Sequence, residues 1–255
     1  MTAVGTWAWA EQTDGRLRRR DRAVLLRQAV AARLSAVHDR NAVALVATAA
    51  ALPDPPDSAL VAAADECARD LSHPLLYGHC LRTWAFAALY AQRDRVEHDP
   101  ELLYVACVLH DLGLTDAHAA GDGSAGCFAV AGARTAHGLV CAHGTPDQAR
   151  TVAEAITLHL NVSVPERLGA EAHLLSRGVL LDVVGRGHRQ LPRRSVDDVL
   201  QRWPRAGSGA LLSAATAGEG RRRPASRAAF LGRLGFAGLI AANPLDRLEE
   251  SASTT

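Results

Sequence analysis

The stretch VLHDLGLT, Val108–Thr115, limits the possible folds of this chain more than any other. The residues before it, ELLYVACVL (Glu101–Leu109), are apolar on almost every face, so as a helix they belong inside a packed core. That helix ends on His110 and Asp111, and a charge carried into a core without a partner is costly. A metal ion would neutralise both side chains, provided other parts of the chain supply further ligands.

The surrounding sequence is helical in character. Alanine is abundant and aromatic residues make up only 4% of the 255 residues, a composition that suits tightly packed helices better than sheets. Apolar spacing predicts helices over 16–51, 59–71, 75–94, 99–112, 128–143, 147–160, 171–184, 195–203 and 226–242. The prolines of LPDPPDS, at 53, 55 and 56, end the first of these, and Asp57 or Ser58 can cap the next. Asp99 followed by Pro100 is a helix start, and GTPDQA (Gly144–Ala149) is another. DAHAAGDGSAG, Asp116–Gly126, reads as a flexible loop beside the His–Asp pair. After Trp203 the periodicity fades through PRAGSGALLSAATAGEGRRRPAS, which reads as mobile, and a polar tail follows the last helix. No strand alternation persists, so the expected fold class is all-α. The expected organisation is an N-terminal helical extension over 1–52, a central domain over 53–204, and a mobile segment with a C-terminal helix over 205–255.

Several function classes are excluded or disfavoured. All 28 basic residues are arginine, so neither a Schiff-base lysine nor a phosphate-binding-loop lysine is available. A net charge of +1 gives no sign of a nucleic-acid or membrane partner. The five cysteines (Cys67, Cys80, Cys107, Cys127 and Cys141) are odd in number and lack CxxC spacing, as in a reducing compartment. The N-terminal charges follow the short apolar piece, the wrong order for a secretory signal, and Ala42–Leu52 is too short to span a bilayer. The expectation is a soluble, cytoplasmic protein acting on a small molecule, with a homo-oligomer left open.

Two further helices carry ligand-type residues in apolar settings. His79 lies in LLYGHCLRTWAFAALYAQ, with Thr83 and Phe86 on the same face, and Asp182 lies between Leu181 and Val183 in LLSRGVLLDVVG. Three apolar helices, each presenting such a side chain, suggest one shared site for zinc, iron, manganese or nickel. Arg82, one turn from His79, either reaches an anionic substrate or braces the helix against a carboxylate.

The order His79, His110–Asp111, Asp182 resembles the H…HD…D signature of the HD-domain superfamily of metal-dependent hydrolases. The words LLYGHCLRTWAFA, DPELLYVACVLHDLGLT, VAEAITLHLNVSVP and GVLLDVVG resemble the branch that contains cyanamide hydratase, over roughly residues 57 to 204. The resemblance implies an all-α HD-domain bundle with the N-terminal extension outside it. It also implies one divalent metal ion, zinc foremost, with Fe2+, Mn2+ or Ni2+ as alternatives, held by His79, His110, Asp111 and Asp182. The implied enzyme is a hydrolase or hydratase that adds water to a small C–N electrophile such as a nitrile or cyanamide, in specialised metabolism. A phosphohydrolase acting on a nucleotide or phosphate ester is one alternative, and a metal-stabilised binding protein without turnover is another. Extra histidines after the pair also leave a two-iron oxygenase open.

One segment departs from the relatives. CFAVAGAR, Cys127–Arg134, has Ala129 and Ala131 where they carry carboxylates, and Arg134 reverses a charge. A replacement proton carrier would be His137 or His159, the latter near a helix end with an ordinary imidazole pKa. Glu154 belongs to the same EAI segment as His159 but does not share its helical face. Phe86, Phe128, His118 and Arg134 are the expected substrate contacts.

Overall fold

The computed structural model describes residues 2–39, 51–119 and 126–252. Among these residues every regular element is helical, as expected. The central bundle consists of α3 (Ala59–Leu71), α4 (Pro74–Asp94), α5 (Pro100–Leu109), α7 (Phe128–His143), α8 (Pro146–Leu158), α9 (Ala170–Val184) and α10 (Arg193–Arg202). The start signals act as anticipated. Ser58 accepts from the amide of Val61, Asp99 accepts from those of Glu101 and Leu102, and Thr145 forms a capping box with Gln148. Gly185, in the left-handed region at φ +69°, ends α9.

The flanks differ from the sequence expectation. A short helix, α1 (Trp7–Thr13), precedes α2 (Arg19–Asp39), and the remainder of the helix expected over 16–51, with the apolar run from Ala42, lies mostly outside the described residues. The loop expected at Asp116–Gly126 begins as a turn of helix, α6 (Asp116–Ala119), and residues 120–125 lie outside the description. The stretch read as mobile after Trp203 contains α11 (Ser208–Arg222). Its fading periodicity has a physical cause: α11 buries Glu219 on one of its faces, where the carboxylate accepts from the amide of Phe128 and pairs with Arg223. The helix expected over 226–242 is two, α12 (Arg227–Arg233) and α13 (Phe236–Ala241), broken at Gly235 with φ +88°, and α14 (Pro244–Ala252) replaces the polar tail.

Two apolar cores result. One lies inside the central bundle around Phe86, Val105, Leu109, Ile156 and Leu181. The other joins both flanks to the start of α7, with Trp9 and Leu25 from the N-terminal side meeting Phe128, Leu212 and Ile240. The N-terminal and C-terminal pieces therefore share a core with each other. No single helix among the described residues is long and apolar enough to cross a membrane.

Two close approaches position the site. Gly178 on α9 lies against the backbone of α4, where any Cβ would strike the carbonyl of Thr83, one turn beyond His79. Gly132 on α7 lies against Gly113, just past Asp111, where a Cβ would strike the Gly113 amide. A larger residue at 178 must push α4 and α9 apart, because the obstacle is backbone and cannot rotate away. Gly178→Val is expected to cost about 3 kcal/mol, the upper end for overpacking, against a gain in helix propensity below about 1 kcal/mol. Calorimetry should show Tm falling by roughly 6–12 °C. An unchanged Tm would mean that the two helices are not locked at this contact.

Candidate metal centre

α4 supplies His79, the end of α5 supplies His110 and Asp111, and the end of α8 supplies His159. His79 and His110 are fully buried, and Asp111 and His159 are each 4% exposed. His79 Nε2 lies 3.2 Å from His110 Nε2, and each of these nitrogens lies 3.4 Å from Asp111 Oδ2. The three atoms form a nearly equilateral triangle whose centre is about 1.9 Å from each corner. Imidazole nitrogens and carboxylate oxygens bind zinc at roughly 2.0–2.2 Å, so the donors are spaced as they would be around a single ion.

The other nitrogen of each ring fixes the tautomer. His110 Nδ1 is 2.7 Å from the carbonyl of Cys107 and His159 Nδ1 is 2.6 Å from that of Ile156. A carbonyl only accepts, so both Nδ1 atoms carry the proton and both Nε2 atoms carry the lone pair. His79 Nδ1 is 2.6 Å from Asp182 Oδ2, an ionised acceptor, with the same consequence. Two lone pairs facing each other across 3.2 Å repel unless a cation lies between them. The residues therefore fit a divalent ion by distance, by charge and by tautomer.

The electrostatics agree. Burial works against a charge on His79, but Asp111 and Asp182 outweigh it and raise its pKa, so a proton there competes with an ion. Burial lowers the pKa of His110. Burial opposes ionisation of Asp111, yet His110, His79 and His159 hold its pKa well below the usual carboxylate range. His159 does not have the ordinary pKa expected of it: burial first, then His110 beside it, push it down to about 3. It is neutral at physiological pH, and its Nε2 lies 3.7 Å from Asp111 Oδ1. The ring of Phe128 tilts against it at 5.7 Å.

Asp182 and Arg82 stand behind the triangle. Both are fully buried and joined to each other, Arg82 Nε to Asp182 Oδ1 at 2.7 Å. Arg82 also reaches the carbonyl of Pro204 and the hydroxyl of Ser208, so of its two readings the structure shows the bracing one. Arg205, which the sequence reading placed in a mobile stretch, is the second cation on Asp182, and Asn243 holds the Asp182 carbonyl. Neither lies in a recognisable motif.

The other expected residues lie elsewhere. The ring of His137 stacks on Trp7 at 5.4 Å, and its Nδ1 is 3.7 Å from Cys141 Sγ; the structure does not bring it to the triangle. His118 lies between the hydroxyls of Thr115 and Thr135, and Arg134 is an exposed partner of Asp14. Phe86 is buried in the main core. Glu154 accepts from the first amide of α1, at Trp7, and burial raises its pKa. Folding therefore favours its neutral form, and the stability this gives is lost as pH rises through the raised pKa. Glu154→Gln should raise Tm at pH 8 and lose that advantage below about pH 4, where glutamate is itself protonated. An equal Tm at pH 8 would show that the partly buried carboxylate carries no penalty.

Residues 76–178 match the family model described as HD domain, which supports placing this segment in the HD-domain superfamily. No curated protein matches the chain. The match and the His79, His110 and Asp111 cluster together suggest metal-dependent hydrolase activity with a divalent ion.

Proposed function

We propose that this HD-matching chain activates water at the His79–His110–Asp111 centre for addition to a small uncharged molecule with an electrophilic C–N bond, such as a nitrile or a cyanamide. The observation that carries this reading is the convergence of two fixed imidazole lone pairs and one carboxylate on a single buried point. A divalent ion in such a donor set supplies Lewis-acid activation of water near neutral pH. His159, held neutral with its Nδ1 proton on Ile156, presents Nε2 as an acceptor that orients the attacking water. Phe128 keeps bulk solvent off that ring. An uncharged substrate suits a centre whose two anticipated arginines, Arg82 and Arg134, are committed to Asp182 and Asp14.

A phosphohydrolase reading has one specific observation in its favour. Arg227 is fully buried, its Nε has no partner among the described residues, and its charge is felt at His159. One terminal nitrogen donates to both the carbonyl of Thr157 and Oδ1 of Asn161, near the end of α8, and the other lies 3.9 Å from Cys127 Sγ. The test is a substrate panel with zinc-, iron- and manganese-loaded protein and an Asp111→Ala control. Turnover of cyanamide or simple nitriles is expected. Turnover of phosphate esters alone would move the assignment to phosphoryl transfer and to Arg227. Stabilisation by metal with no turnover of either class would leave a metal-stabilised binding protein.

A further inference from the structure

The sequence resemblance puts Asp182 on the metal, whereas its surroundings put it behind His79. An ionised carboxylate offers about four in-plane lone-pair sites. At Asp182 each oxygen already receives two donors. Oδ1 accepts from Arg82 Nε at 2.7 Å and from an Arg205 terminal nitrogen at 3.0 Å. Oδ2 accepts from His79 Nδ1 at 2.6 Å and from an Arg82 terminal nitrogen at 3.2 Å. A metal ion would need one of these four positions. Freeing Oδ2 would leave the His79 Nδ1 proton without its acceptor in the core, and freeing Oδ1 would break the Arg205 bond to the carboxylate and one of the two from Arg82.

The residue is also held at its backbone. Its carbonyl accepts from Arg205 and from Asn243 Nδ2, and the Gly178 contact sets how closely α9 lies on α4. The side chain therefore cannot be carried towards the triangle by a small shift of the helix. The cluster whose donor atoms lie within 4.8 Å of one another contains His79, His110 and Asp111, and Asp182 is not in it.

We propose that Asp182 is a positioning residue and not a metal donor. It fixes His79 in the Nδ1–H form with Nε2 aimed at His110 and Asp111, and Arg82 and Arg205 keep it ionised and immobile. This rests on the metal-centre reading above. It gives a centre with three protein donors, two imidazoles and one carboxylate, leaving the other coordination positions for water and substrate.

Zinc affinity of the full-length protein, measured by competition with a chromophoric chelator, separates the two roles. Asp182→Asn should still bind one zinc per chain, about 10–100-fold more weakly, as when a group orienting a ligating histidine is lost. The visible spectrum of its cobalt-substituted form should match wild type in position and intensity. Loss as complete as in His110→Ala, or a changed cobalt spectrum, would overturn the proposal. The substituted amide would face two guanidinium groups, so a wild-type measurement guards against misfolding of the variant. In the 15N-histidine spectrum of zinc-loaded wild type, the His79 Nδ1 proton should be strongly shifted downfield by its carboxylate acceptor. Loss of that proton on zinc loading would overturn the proposal while leaving the metal centre intact. Wild type that binds no zinc would overturn both.

Discussion

His110→Ala should purify without metal, whereas wild type carries about one transition-metal ion per chain by mass spectrometry. His110 Nε2 is one corner of the donor triangle, and the neighbouring His159 ring, 5.0 Å away centroid to centroid, faces the other oxygen of Asp111. His159 therefore does not stand at Oδ2, the Asp111 oxygen that completes the triangle. Wild type should gain about 2.7 kcal/mol when free zinc exceeds its Kd 100-fold, which for a chain of this size is a Tm rise of roughly 5–11 °C. The variant should show no rise, and its turnover should fall by at least about 1,000-fold once water activation is lost. Asp111→Asn removes the charge at almost constant shape and should behave the same way. A zinc-dependent Tm rise that persists in His110→Ala would place the ion elsewhere.

The same centre sets a pH dependence. The raised pKa of His79 means that a proton competes for the metal-free site and must leave when an ion binds. Zinc affinity should therefore weaken as pH falls through and below the raised His79 value, with proton release on binding measurable in buffers of different ionisation enthalpy. The very low pKa values of Asp111 and Asp182 put their protonation outside this range, so they add no slope there.

The sequence reading succeeded where local rules suffice. The α5 helix could be placed from Asp99, Pro100 and an all-apolar run, and its end at His110–Asp111 required a buried partner. It failed where the answer depends on distant residues. The helix α1 is held by Glu154, 147 positions away, and nothing in TWAWAEQT announces that bond. Arg205 clamps a carboxylate 23 positions earlier, from a stretch whose fading periodicity suggested mobility. His159 was expected to titrate near neutrality because its burial and its contact with His110 follow only from the fold. Asp182 was expected on the metal, and its partners, Arg82, Arg205 and His79, could not be counted from sequence; they are the ground for proposing that it positions His79 instead.

The arginine clamp can be tested by stability alone. Arg205 is 1% exposed and bridges Asp182, inside, to Asp246, nearer the surface. Arg205→Met keeps much of the buried volume and removes one of the two cations on Asp182. Breaking a buried pair from one side costs about 3–5 kcal/mol, because a charge stays behind without its partner. Here Arg82 and His79 remain, so the lower end is expected: about 3 kcal/mol, or a Tm lower by roughly 6–12 °C. Adding Asp182→Asn to Arg205→Met should cost less than the two single losses together, since the Arg205–Asp182 pair can be broken only once. The combined variant must therefore be more stable than the sum of the two single changes. Additive losses would mean that Arg205 contributes only its contacts with the Asp182 carbonyl and Asp246, and that Arg82 alone keeps Asp182 charged.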